Sequence, residues 1–184
     1  MLAAGKSTRF GSTKQLAIYK NETLIQRSIK TIEKVLGANY LIIIGNDPIN
    51  LYHACQPQLG FIACNDDHEK GMASSIKLGI KALPETTQAV MILLADQPLI
   101  TESHLLEIIK SWEENPKKIT CTSAGKNHGP PAIFPKRYFS KLLKIKGDNG
   151  AKNLLSSHDK NLIRIINNHA FIDIDTINDL KNIT

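Results

Sequence analysis

Short runs of consecutive apolar residues alternate along this chain with longer stretches in which apolar residues recur every three or four positions. The short runs predict strands at residues 40–44, 61–64, 89–94, 119–122, 132–134, 162–166 and 171–174. The longer stretches predict helices at 22–36, 72–83 and 101–114, with shorter ones at 136–143, 151–157 and 177–181. The first helix has Asn21 as its expected N-cap, an apolar face through Leu24, Ile25, Ile29, Ile32 and Leu36, and Gly37 as its stop. Pro84 ends the second, and Asn115-Pro116 closes the third. Strand and helix in alternation predict an α/β fold, three layers deep, around a mostly parallel central sheet. No repeat or linker divides the chain, so the expectation is one domain over residues 1–184.

The start is unusual for that pattern. Leu2-Ala3-Ala4-Gly5 reads as the tail of a strand before a glycine turn, with hardly any residue ahead of it. Folds of this class put the first strand in the middle of the sheet, and a shortened central strand leaves inner ladder edges unpaired. The expectation is a first strand truncated at the N-terminus, with further apolar residues upstream of Met1 in the natural protein.

Composition narrows the class. With 184 residues, 42% hydrophobic and 22% charged, the chain reads as globular and long enough to bury a core. Its longest uncharged apolar runs, at 40–45 and 89–95, fall far short of the ~20 residues that span a bilayer. The N-terminus lacks the basic and apolar regions of a secretory signal, so a cytoplasmic location is expected, with no membrane partner. Cys55, Cys64 and Cys121 have neither the number nor the spacing of a disulfide framework or zinc site. The net charge of +6 is scattered rather than gathered into one block. That argues against a nucleic-acid partner and suits a small polyanionic substrate.

Chemistry concentrates in a few segments. Gly5-Lys6-Ser7-Thr8 lacks the upstream glycine of a P-loop, and no G-x-G-x-x-G follows the strand tail. What remains, Leu2 through Leu16, carries Gly5, Gly11 and the cations Lys6, Arg9 and Lys14. Backbone N–H groups and positive side chains in such a turn suit a polyphosphate. Gly71-Met72-Ala73-Ser74-Ser75 stands where a loop enters a helix, and its hydroxyls and N–H groups either cap that helix or meet a ligand. Asp96 ends an apolar strand just before a turn at Pro98, at the carboxyl edge where open α/β sheets bind ligands. A carboxylate there is a metal-ligand candidate. Alternation puts Asp173 and Asp175 on one side of the last predicted strand, with Asp175 serving either as a ligand or as a helix cap. Asp148 has the same two readings.

These segments together resemble the nucleotidyltransferase family that contains molybdenum cofactor cytidylyltransferases. Leu2 to Leu16 is similar to its L-A-A-G-x-S-x-R-x-G-x-x-K-Q-L signature, residues 71–75 to G-[LM]-x-S-S, and residues 94–98 to L-A-D-Q-P. Asn127-His128-Gly129-Pro130 matches G-H-P-V-x-F loosely, because the histidine precedes the glycine. Gly147-Asp148-Asn149-Gly150-Ala151-Lys152 resembles G-D-x-G-A-R with lysine in place of arginine, and residues 173–180 resemble D-I-D-T-P-E-D-L.

The resemblance implies a Rossmann-like nucleotidyltransferase that moves CMP from CTP to the phosphate of molybdopterin and releases pyrophosphate. It implies nucleotide contacts from Leu2, Ala3, Ala4, Gly5, Lys6, Ser7, Lys14, Gly71, Met72, Ser74 and Ser75. Catalysis falls to Arg9, Lys14 and Asp96, and Mg2+ to Asp96 and Asp175. The acceptor, a pterin phosphate, meets Gly129, Pro130, Asp148 and Lys152, and a molybdenum enzyme receives the product. Its phosphate is already ionised at neutral pH, so no general base is named and His128 is read as a loop residue. Three other readings stay open: a GTP- or sugar-phosphate-using nucleotidyltransferase, a non-catalytic carrier of the finished cofactor, and an ATPase dependent on Lys6.

Overall fold

The computed structural model describes residues 1–158 and 161–183. In chain order its strands are β1 (Leu2–Ala3), β2 (Ile18–Tyr19), β3 (Glu22–Thr23), β4 (Leu41–Ile44), β5 (Phe61–Cys64), β6 (Ala89–Ile92), β7 (Thr120–Ala124), β8 (Asn127–Pro135) and β9 (Ile163–Ile166). Its helices are α1 (Leu24–Leu36), α2 (Pro48–Ala54), α3 (Met72–Lys81), α4 (Glu102–Glu114), α5 (Phe139–Leu142), α6 (Lys152–Ser157) and α7 (Ile177–Asn182).

Parallel pairing joins β5 to β4 and β4 to β1, and a parallel bridge from Leu2 to Leu94 carries β1 onto the end of β6. Antiparallel pairing then joins β6 to β8 and β8 to β7, and β9 lies parallel to β7. The sheet order is therefore β5-β4-β1-β6-β8-β7-β9, with β8 alone running against the rest. As expected, the first strand occupies the middle: Leu2 donates its N–H to Leu93 O and accepts from Ala95 N.

Period-two alternation sends successive side chains to opposite faces and so builds the layers. Ile42 and Ile44 pack with Ile25, Ile29 and Ile32 of α1, Leu51 of α2 and Leu105 of α4. Ile43 faces the other way, toward Gly79 of α3. Leu93 joins the first group, whereas Ile92, Ala132 and Phe134 pack with Ile76 and Ile80 of α3, Leu142 of α5 and Leu154 and Leu155 of α6. Each such fully buried Leu, Ile or Phe contributes about 1.5–3 kcal/mol. Helices α1, α2 and α4 thus cover one face and α3, α5 and α6 the other. Cys55, Cys64 and Cys121 form no disulfide among the described residues.

Several local expectations are corrected. Asn21 does not cap α1. Lys20 and Asn21, both at positive φ (50° and 66°), form the two-residue turn of the β2–β3 hairpin, which needs left-handed backbone at both positions. Thr23 caps α1 instead, in a reciprocal capping box with Gln26. Residues 171–174 are not a strand: a 3-10 turn spans Asn168–Phe171, and irregular chain follows it. Residues 136–143 split into a 3-10 turn, Lys136–Tyr138, and the short α5. No helix among the described residues is long and apolar enough to cross a membrane.

Candidate active site

At the carboxyl edge of β1 and β6 a cleft of about 590 Å³ opens between the glycine-bearing loop, the start of α3 and the segment before α7. The loop is stapled from within. Ser7 Oγ accepts from Lys14 N (3.1 Å) and donates to Gln15 Oε1 (3.2 Å), while buried Gln15 donates through Nε2 to Ala3 O (3.2 Å). A 3-10 turn over Lys14–Leu16 then directs the Lys14 side chain into the cleft.

Three segments distant in sequence meet at Lys14. Its ammonium lies 2.5 Å from Asp96 Oδ2 and 2.8 Å from Asp175 Oδ1. The two carboxylate oxygens are therefore no farther apart than the sum of those contacts. Arg9, on the solvent side, pairs with the other oxygen of Asp175 at 2.6 Å. Ile174 N donates to Asp96 O at 3.0 Å and so ties the C-terminal segment to the end of the β6 strand. Asp175 is not spent on capping α7. Thr176 is that cap, in a box with Asp179, whose carboxylate also accepts from Asp175 N and is held below its usual range by the Thr176 hydrogen bonds.

The electrostatics follow from crowding. Burial works against the charge of Lys14, but Asp96 and Asp175 more than offset it and raise its pKa above the ordinary lysine value. Asp173, a third carboxyl lining the cleft, is raised by desolvation between the cleft walls and by the nearby charge of Asp96. Gln97 donates to it at 3.0 Å.

Metal fit rests on the donors present. Among the described residues no group of three or more His, Cys, Asp or Glu side chains makes a metal cluster. The pair Asp96 and Asp175 remains, and Asp96 Oδ1 is a buried oxygen without a hydrogen-bond partner. Two carboxylates suit a hard ion such as Mg2+, which completes its shell from water and substrate phosphates.

Among the other expected nucleotide contacts, Leu2, Ala4, Gly5, Lys6, Ser7, Gly71, Met72 and Ser75 line the cleft. Ala3 serves it through the carbonyl that Gln15 holds, and Ser74 faces an adjoining groove. Neither serine caps α3, whose N-cap, Gly71, has no side-chain bond. Of the expected acceptor residues, Asp148 lines the cleft, beside Gly71. Gly129, Pro130 and Lys152 are not among its lining residues: the first two lie on β8, where the Phe171 ring covers Gly129, and Lys152 opens α6. His128, on the same strand, bonds to Ser123 of β7 and accepts from Arg164 of β9.

Sequence reasoning gave Gln15 and Asn65 no role and saw Asp173 only as the neighbour of Asp175 on a predicted strand. Asn65 follows β5 at the same sheet edge as Asp96 and donates to both Ser74 Oγ (2.8 Å) and Ser75 Oγ (2.9 Å). The strand-end logic that picked out Asp96 applies equally to Asn65.

Comparison with known proteins gives the same picture. The chain is 32% identical over 165 residues to the purine catabolism protein PucB of Bacillus subtilis, covering 85% of this chain and 78% of that one. It is 23% identical over 187 residues to a protein of Aquifex aeolicus named "Probable molybdenum cofactor guanylyltransferase", covering 100% and 88%. The manganese complex of Rv0371C from Mycobacterium tuberculosis superposes with a TM-score of 0.83 at 20% identity, over 98% of this chain and 94% of that one. Residues 1–162 match the MobA-like NTP transferase domain. With that match covering the loop, the strand-end carboxylate and the start of α3, the chain belongs to the MobA-like NTP transferase family and is a nucleotidyltransferase.

Proposed function

We propose that this protein transfers CMP from CTP to the phosphate of molybdopterin and releases pyrophosphate, with Mg2+ held by Asp96 and Asp175. The observation that carries the reading is the meeting of Lys14 with both aspartates beside the stapled glycine loop. Mg2+ bound there supplies charge neutralisation for the α-phosphate and the acceptor phosphate. Lys14 and Arg9 stabilise the negative charge that builds on the α-phosphoryl group, and the N–H groups of the loop and of the start of α3 orient the triphosphate. Asp148, which lines the cleft, is assigned to the acceptor. The acceptor phosphate attacks as an anion, so no side chain need remove a proton. The reaction belongs in the cytoplasm, with a molybdenum enzyme as the receiver of the product.

A second reading, GTP as the donor, is favoured by the name of the Aquifex aeolicus relative. Pyrophosphate release from each of the four nucleoside triphosphates, with Mg2+ and molybdopterin present, separates the two. CTP is expected to give the fastest release, and a clear preference for GTP overturns the cytidylyl assignment. In the same assay Asp96→Ala is expected to lose about 10²–10³-fold in rate with its fold intact. Near-normal turnover by that variant removes the metal site.

A further inference from the structure

The contacts around Lys14 point beyond transition-state stabilisation. We propose that Lys14, with Arg9, is an interlock: it keeps Asp96 and Asp175 from holding a divalent cation until a triphosphate draws the two cations off. This rests on the reading of those aspartates as the ligand pair.

Lys14 Nζ is within hydrogen-bond distance of an oxygen of each carboxylate, and Arg9 holds the second oxygen of Asp175. Three of the four carboxylate oxygens are thereby engaged, and the fourth, Asp96 Oδ1, is buried. The two cations cancel the charge of the two aspartates they pair with, so an arriving cation is drawn only by the other cleft carboxyls, such as Asp173, and far less than by a bare pair. A divalent ion must displace the Lys14 ammonium or sit against it, and at such separations like charges repel strongly in a partly desolvated cleft. A triphosphate reverses the balance by adding several negative charges beside the loop that carries both cations.

The backbone of Lys14 is tied down, its N–H fixed to Ser7 Oγ within a 3-10 turn, while its side chain borders the cleft. Arg9 is largely exposed, and its pair with Asp175 faces solvent. Cation and nucleotide therefore enter together, and the empty protein is shielded from tighter-binding transition metals that would otherwise occupy a bare carboxylate pair.

The test is binding of Mn2+ to nucleotide-free protein, followed by electron paramagnetic resonance and calorimetry, with no turnover required. Lys14→Met keeps the stem and removes the charge, and it is expected to bind Mn2+ at least about tenfold more tightly than the parent. Arg9→Ala, at the surface, should tighten binding by a smaller factor, and it supplies the comparison if Lys14→Met does not fold. Asp96→Asn should weaken binding in every background. Equal affinity of parent, Lys14→Met and Arg9→Ala, with Asp96→Asn still weakening it, overturns the interlock and leaves the carboxylate pair standing. If Asp96→Asn changes nothing, the ligand pair falls and the interlock with it.

Discussion

Gly71 has φ +87° and ψ 177°, a region open almost only to glycine, and it holds that shape at the first turn of α3 against the loop carrying Asp148. A Cβ there would collide with Asp148 Oδ1 and come to 2.7 Å from the Gly147 carbonyl carbon. Gly71→Ala therefore strains its own backbone and pushes a cleft wall outward. The expected cost is about 1–3 kcal/mol in chemical denaturation, with a raised KM for the nucleotide. An unchanged KM would mean that this wall does not touch the substrate. Gly71 was legible in the sequence, as were Arg9, Lys14, Asp96 and Asp175, because glycines and charges at loop and strand ends announce themselves one position at a time. The roles of Gln15, Asn65 and Asp173 were not, although Asp173 was seen beside Asp175, because each acts through a hydrogen bond to a residue remote in sequence or in another motif. No local pattern records such a partner.

At the scale of elements, α4 shows how a polar side chain becomes part of the core. His104, buried in the first turn of α4, bonds through Nε2 to Thr122 Oγ1 of β7 at 2.9 Å. Thr122 in turn donates to Pro131 O of β8 at 3.0 Å, so the imidazole must be the donor to Thr122 and carries a proton on Nε2. Burial lowers the pKa of His104 below its ordinary 6.5. A depressed histidine pKa gives stability that is present above the unfolded value and is lost as pH falls through the lower folded one. Stability measured by denaturant should thus decline as pH drops below about 6.5, and His104→Gln should flatten that decline. An identical pH profile in the variant would assign the acid sensitivity elsewhere. Long amphipathic elements such as α1 and α4 were readable because their apolar stripes are repeated over several turns. The short ones were not. Residues 171–174 alternate like a strand, yet only Ile174 is fully buried, and the segment finds no neighbouring strand to pair with. Helix α2, with its seven residues and single fully buried Leu51, carries too little periodicity to be seen.

The molecule as a whole is closed by its C-terminal segment. The family match ends at residue 162, but Asp173 and Asp175 reach the cleft from beyond it. The anchor is Ile174, fully buried with Phe10, Tyr19 and Leu24. Its N–H reaches Asp96 O, and Tyr19 donates its hydroxyl to Ile183 O. One hydrophobic cluster thus joins the glycine-loop side chain Phe10, the β2–β3 hairpin, the start of α1 and the chain carrying Asp175. Ile174→Ala leaves a cavity in that cluster and is expected to cost about 2–5 kcal/mol, and Ile174→Val about 0.5–1.5 kcal/mol. Because Ile174 sits between the two cleft aspartates of this segment, its truncation should do more than lower the melting temperature. Turnover measured well below that temperature should also fall, more for alanine than for valine, as Asp175 loses its fixed approach to Lys14 and Asp96. A variant that melts early but turns over normally when folded would show that the cluster stabilises the molecule without placing the carboxylate.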